Sequence, residues 1–286
     1  MTPAPRPLSI FSEFGRLEVV VMATPRHFHV IPPVNETQRR FFATDPPDAA
    51  ELVREQEAFV AALRQHGVEV VWAAELEDCP LQLNTRDIAA VVGEACLLGH
   101  MRYDVRAREL EAVLPILDRF DGDRLGPTAG SFEGGDVVVD GRTVYVGLGQ
   151  RTDPRAVDEL REPLEARGFA VEPVPLRSDA LHLDVVLNLV APGIGLVYAP
   201  ALPHGIPPRL TERYDFVEVS EDEQQRLGAN VFAIEPGVVV TDTRNPRVNE
   251  ELVRRGIETI ELPFTETTKI GGSFRCMTLP LVRQGF

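Results

Sequence analysis

The sequence predicts an α/β protein: one domain, residues 1–286, built as a five-bladed α/β propeller of ββαβ-type repeats around a pseudo-fivefold axis. Three observations predict it. Amphipathic segments end in a glycine followed by a short β-rich run. Pairs of apolar runs flank tight-turn signals. The combination recurs roughly every 45 to 70 residues, at or just above the usual range for structural repeats. One such unit cannot cover both faces of its own sheet. Five arranged radially shield one another's edges and share a central channel. A layered α/β fold would also alternate strands and helices, but the close match between the units favours the ring.

In chain order, the first unit is the least regular. Leu17-Glu18-Val19-Val20-Val21-Met22 reads as a strand, a long polar loop follows, and an amphipathic helix ends at Gly67 before a short β-run. The second unit is a strand pair around Gly93-Glu94. The third carries the clearest hairpin, two valine-rich runs around Asp140-Gly141, and then a helix from Asp153-Pro154 to Gly168. The fourth turns at Pro192-Gly193. The fifth turns at Pro236-Gly237 and continues into a helix from Asn245-Pro246 to Gly256. Asp153 and Asn245 each offer a capping side chain ahead of a proline suited to the first helical turn. Gly67, Gly168 and Gly256 suit the left-handed C-cap. No linker interrupts the series, so a single domain is expected.

Composition removes several function classes. A formal net charge of -15 is wrong for nucleic acid, whose phosphates need clustered Lys and Arg, and suits a cationic small molecule. No apolar run approaches the ~18 residues of a membrane span. The N-terminal stretch lacks the pattern of a secretory signal. Cys79, Cys96 and Cys276 are too few and too scattered for a disulfide framework or a metal site, which points to a reducing, cytoplasmic setting. His27 and His29 have no evident third ligand, so neither a metal nor another cofactor is expected. The oligomeric state stays open, a homodimer included.

Chemistry concentrates where the strands begin. Gln82-Leu83-Asn84-Thr85-Arg86-Asp87 precedes the second unit, Phe132-Glu133-Gly134-Gly135-Asp136 the third, and Leu181-His182-Leu183-Asp184 the fourth. Gly271-Gly272-Ser273-Phe274-Arg275-Cys276 leads into the C-terminal closing strand. Around a pseudo-symmetry axis these groups meet in one central site. A thiol attacks as thiolate and needs a proton-accepting neighbour, and that histidine needs a carboxylate to fix its tautomer. Cys276, His182 and Glu133 fill these roles. Asp87 and Asp184 remain, and two carboxylates hold a planar guanidinium well from two sides. Each residue alone reads as packing or a turn; their joint occurrence at equivalent places carries the weight. Cys79 and Cys96 read as packing.

With Val146-Gly147-Leu148-Gly149-Gln150-Arg151-Thr152 added, these motifs resemble the guanidino-group-modifying superfamily of pentein, or α/β-propeller, fold. The likeness runs from about Leu17 to the C-terminus. Its members include arginine deiminases, arginine dihydrolases, dimethylarginine dimethylaminohydrolases and arginine:glycine amidinotransferases. The resemblance implies a hydrolase that attacks the guanidinium carbon of arginine or a close analogue through a covalent S-alkylthiouronium on Cys276. His182 would be the general acid/base, Glu133 would hold His182 and the guanidinium, and Asp87 and Asp184 would clamp its nitrogens. Arg151, with Arg106 as a second partner, would pair with the substrate carboxylate.

Among these members, Asp184 favours an unmethylated guanidinium. Compact dihydrolases resemble the chain in size and in the asparagine, here Asn84, ahead of Arg-Asp, where it would hold a ureido intermediate. The expected product is ornithine or citrulline with ammonia. Dimethylarginine hydrolysis and amidino transfer are the enzymatic alternatives; a non-catalytic pentein binding scaffold is the other.

Overall fold

The computed structural model describes residues 5–285, a mixed α/β chain whose main sheets are five three-stranded ones. The first joins Leu279–Gln284, Arg16–Met22 and Glu69–Trp72. The second joins Ala89–Val92, Ala95–Leu98 and Asp123–Leu125. The third is Val137–Asp140, Thr143–Leu148 and Ala170–Pro175. The fourth is Leu187–Ala191, Ile194–Val197 and Asp215–Glu218, and the fifth Phe232–Glu235, Val238–Asp242 and Glu258–Leu262. In every one, the middle strand runs antiparallel to the first and parallel to the third. None closes into a barrel.

This shared design follows from the connections. An antiparallel neighbour needs only a tight turn, whereas a parallel one needs a crossover. The four turn signals read from the sequence are the four hairpins, as at Gly141 (φ +62°) and Gly237 (φ +89°), where a side chain would be strained. The first sheet has no hairpin. The C-terminal strand supplies its outer member, so the chain's two ends meet there.

The helices Ala49–Gln65, Pro154–Glu165 and Pro246–Arg254 make three of the crossovers. In the second and fourth units the expected helix shrinks to single turns, Leu114–Leu117 and Pro208–Thr211, with 3-10 turns beside them. Pro200, Pro203, Pro207 and Pro208 crowd the fourth crossover and deny a longer helix its N–H donors. Pro154 and Pro246 do open their helices, but Asp153 and Asn245 do not cap them. Asp153 instead accepts from the Ser131 N–H (2.9 Å), and Asn245 Oδ1 accepts from Arg226 Nε (3.2 Å), tying each helix start to a preceding segment.

Strand alternation divides the core. Val19 and Val21 pack in one apolar cluster while Val20 and Met22 pack in another. Val137 and Val139 likewise face away from Val138, and Phe232 and Ile234 from Ala233. Successive side chains point to opposite sheet faces, so these sheets are covered on both sides. No helix among the described residues is long and apolar enough to cross a membrane.

Candidate active site

Three of the units enter their first strand through one short helical turn: Thr85–Ile88, Gly134–Asp136 and Leu183–Val185. The residue ahead of each turn is Asn84, Glu133 or His182, and each turn contains an aspartate, Asp87, Asp136 or Asp184. The same backbone device thus delivers two polar side chains per unit to a common place. Cys276 comes from the loop between the helix Thr265–Lys269 and the strand Leu279–Gln284. That loop is tied to the second unit, with Arg86 N–H donating to the Cys276 carbonyl (3.0 Å) and Thr85 Oγ1 to the Met277 carbonyl (2.9 Å).

All eight residues singled out from the sequence are buried, between 0% and 6% exposed. His182 Nε2 bonds Glu133 Oε2 at 2.8 Å, and its Nδ1 lies 3.6 Å from Asp87 Oδ1. The Cys276 thiol lies 4.0 Å from Asp184 Oδ1. Among the described residues, no hydrogen bond joins the thiol to the imidazole. Asp184 Oδ2 also pairs with Arg275 Nε at 3.3 Å, without hydrogen-bond alignment.

The two arginines expected at the substrate carboxylate point inward. Arg106 donates to Asp87 Oδ2 (2.7 Å), to Glu109 from Nε and Nη2, and to the Asn84 carbonyl (3.3 Å). Its fork is committed to the protein, where Arg106 is a counter-charge for Asp87 and Glu109. Arg151 donates to Glu133 (3.1 Å) and to the Val34 carbonyl (2.8 Å) and lies over the Tyr103 ring. Its Nε is buried without a partner.

The electrostatics separate the roles. Burial disfavours the His182 imidazolium, but Asp87 and the bond to Glu133 outweigh it and hold its pKa up at about 9. Burial likewise opposes the Glu133 carboxylate, yet Arg151 and His182 keep it well below the usual range. Asp184 is raised to about 6 by burial, against the pull of Arg275. Burial, then Asp184 and Asp87, push the Cys276 thiol well above its ordinary value. Asp87, Glu133 and His182 place donor atoms within 4.8 Å of one another, a set a metal could use. With His182 protonated, neither ring nitrogen offers a lone pair to a metal.

The glycines explain themselves by close approach. A Cβ on Gly134 would sit 2.4 Å from the Arg86 carbonyl oxygen, and one on Gly272 only 2.6 Å from Asn84 Oδ1 and 2.9 Å from Cys276 Cβ. A Cβ on Gly135 would lie 2.8 Å from both Asp87 Oδ1 and His182 Cγ. Gly135→Ala is therefore expected to lower kcat about a hundredfold by displacing the imidazole, with a smaller effect on melting temperature. Steady-state kinetics beside a thermal melt checks this; an unchanged kcat in a folded variant removes His182 from the chemistry.

Sequence reasoning missed Asn230. It is fully buried just ahead of the fifth unit's first strand, without the helical turn that follows Asn84, Glu133 and His182, so the repeat pattern did not mark it. Asp136 was quoted only as part of a motif; its Oδ1 accepts from the Leu183 N–H (2.9 Å) and so holds the turn that carries His182. The polar loop of the first unit covers the site: Val34 meets Arg151, and the Asn35 and Gln38 side chains donate to the Ile270 carbonyl (3.1 and 2.9 Å). A cavity of about 380 Å³ lies alongside, with Leu181, Val185 and Gly271, neighbours of His182, Asp184 and Gly272, in its wall.

Comparison with known proteins agrees with this geometry. The model of a family described as N,N dimethylarginine dimethylhydrolase, eukaryotic, matches residues 25–283. The uncharacterized protein YkgA of Bacillus subtilis (strain 168) is 39% identical over 276 residues, 95% of this chain and 94% of its own. An arginine deiminase of Listeria welshimeri is 33% identical over 261 residues, 73% of this chain but 63% of the deiminase, so the chain spans less than two thirds of that relative. Among solved structures, SxtG, an amidinotransferase from Microseira wollei in the saxitoxin biosynthetic pathway, superposes with a TM-score of 0.85 at 19% identity over 98% of both chains. The N-terminal domain of ArgZ, an arginine dihydrolase from the ornithine-ammonia cycle in cyanobacteria, gives 0.82 at 20% identity over 93% of this chain and 97% of its own. At such identities the superpositions speak for the fold. The chain belongs to the dimethylarginine dimethylhydrolase family, within the guanidino-group-modifying superfamily of mixed α/β, pentein fold.

Proposed function

We propose that this protein is a cysteine-dependent hydrolase of a guanidino substrate, arginine or a close analogue, of deiminase or dihydrolase type. One observation supports the reading most. Asn84 Oδ1, Asp87 Oδ1, His182 Nδ1 and Asp184 Oδ2 are buried without a hydrogen-bond partner. Leaving such groups unmet is costly. Three are acceptors, and a planar cation rich in N–H groups is what they lack.

The chemistry follows from the charges. Asp184 and Asp87 oppose thiolate formation. A guanidinium held between them cancels that repulsion, so the substrate itself favours loss of the thiol proton to solvent. Sulfur then bonds to the guanidinium carbon. The C–N bond breaks as protonated His182 gives its proton to the departing nitrogen, which leaves as ammonia. Glu133 stabilises the imidazolium before the transfer. Water adds to the resulting S-alkylthiouronium with His182 taking its proton, the C–S bond breaks, and a ureido product and free thiol remain. A second cycle on that product would give an amine, ammonia and carbon dioxide; Asn84, with its free carbonyl oxygen, is placed to hold the ureido group. Arg151 would pair with the substrate carboxylate only once the Val34 segment moves off it.

The five like sheets, each covered on both faces, support a radial five-bladed arrangement with this site at its centre. Arginine, dimethylarginine and agmatine are the substrates to try, with products identified by mass. Citrulline with one ammonia means deiminase, ornithine with two means dihydrolase, dimethylamine means the methylarginine reaction, and turnover only with an added amine means transferase. Absence of any product, together with Cys276 alkylation that arginine does not slow, leaves the binding scaffold as the reading.

A further inference from the structure

Asn230 makes four hydrogen bonds to the groups around the nucleophile. Its Oδ1 accepts from the Ser273 N–H and the Cys276 N–H, both at 3.2 Å. Its Nδ2 donates to the Asp184 carbonyl at 3.0 Å, and its own carbonyl accepts from the Arg275 N–H at 3.4 Å. The residue is fully buried, and all its side-chain bonds go to the segments that carry the thiol and its neighbouring carboxylate.

We propose that Asn230 is a positioning residue: it clamps the turn Ser273–Cys276 to the turn carrying Asp184, and so sets the distance between sulfur and carboxylate. The proposal deepens the function given above and rests on Cys276 being the nucleophile. Two donors from one turn converge on a single amide oxygen, while the same amide's nitrogen holds the opposing turn. A side chain of one fixed length therefore bridges the two sequence segments, beside the Arg275–Asp184 ion pair that also joins them. The Ser273 backbone, whose N–H donates to Asn230 Oδ1, also eases ionisation of the Cys276 thiol. With the clamp intact, the turn stays fixed beside the sulfur. Without it, the turn that carries the thiol is free to shift against Asp184.

The test compares Asn230→Ser, whose hydroxyl keeps an acceptor in the pocket and protects folding, with Asn230→Ala. Two readouts are taken once thermal melts show folded protein. In the first, the pH dependence of Cys276 alkylation by iodoacetamide is followed by peptide mass; this needs no turnover, so it remains readable if the guanidino reading fails. In the second, kcat and KM are measured on whichever guanidine is turned over. The expected result is an alkylation profile moved to higher pH by about one unit, with kcat down about a hundredfold and KM within threefold. A structural residue alone would lower activity in step with the folded fraction and leave the profile where it is. That outcome, or wild-type kcat and profile in either folded variant, overturns the proposal. Should neither variant fold, amide hydrogen exchange on the wild-type protein decides: protected Ser273 and Cys276 amides support the clamp, and loop-like exchange overturns it.

Discussion

Replacing Cys276 with serine is expected to lower turnover of the enzyme's guanidine by about four orders of magnitude or more, with little change in melting temperature. Serine fills nearly the same space, but its hydroxyl is a far weaker nucleophile without a dedicated base beside it. Here the imidazole makes no hydrogen bond to residue 276; its partners are Glu133 and Asp87. The other two cysteines lie elsewhere, Cys96 packed in an apolar cluster and Cys79 beside Asp78. Quenched-flow or endpoint product assays measure the loss, and mass spectrometry of the wild-type protein under turnover should show an adduct on the peptide containing Cys276. A serine variant retaining a tenth of the wild-type rate, or an adduct on another residue, defeats the covalent mechanism.

His182→Gln is the second large effect, a fall in kcat of about a thousandfold, within the usual contribution of a positioned acid/base. It should also change the pH profile. The site needs Asp184 ionised, and burial raises that carboxyl to about 6. It needs His182 protonated for the departing nitrogen, and Asp87 with Glu133 hold the ring up at about 9 against burial. Wild-type kcat/KM should therefore rise through about pH 6 and fall through about pH 9. The residual activity of the glutamine variant should lose the alkaline limb. Stability has the same sign at that limb. His182 is raised from 6.5 in the unfolded chain, so its stabilising contribution is complete below about 6.5 and fades as the pH rises through about 9. A wild-type profile flat from pH 7 to 10 contradicts the acid role.

Much of the site was legible because it repeats. Asn84, Glu133 and His182 each stand ahead of a short turn and a strand, and the sequence shows that recurrence through the polar clusters alone. Asn230 stands just ahead of the fifth unit's first strand without such a turn, and sits among glycine, alanine and valine with no charge to draw notice. Its importance comes from four hydrogen bonds to residues 46 positions or fewer away, which no local pattern encodes. The arginines went the other way. Arg106 and Arg151 looked free for a substrate carboxylate, but burial favours pairing a guanidinium with a carboxylate, and the nearest were Glu109, Asp87 and Glu133.

By itself the sequence determined the elements whose causes are local: the hairpins at Gly93, Asp140-Gly141, Gly193 and Gly237, the helices ending at Gly67, Gly168 and Gly256, and the identity of the reactive groups. Turn geometry and helix amphipathicity act over a few residues, so they can be read there. Only the tertiary structure decided which strand completes the first sheet, which arginine balances which carboxylate, and which acceptors are left without a donor. Those outcomes depend on distances between segments up to 268 residues apart, as in the pairing of Arg16 with Gln284. A buried charge answers to its neighbours in space, and the sequence does not say who they are.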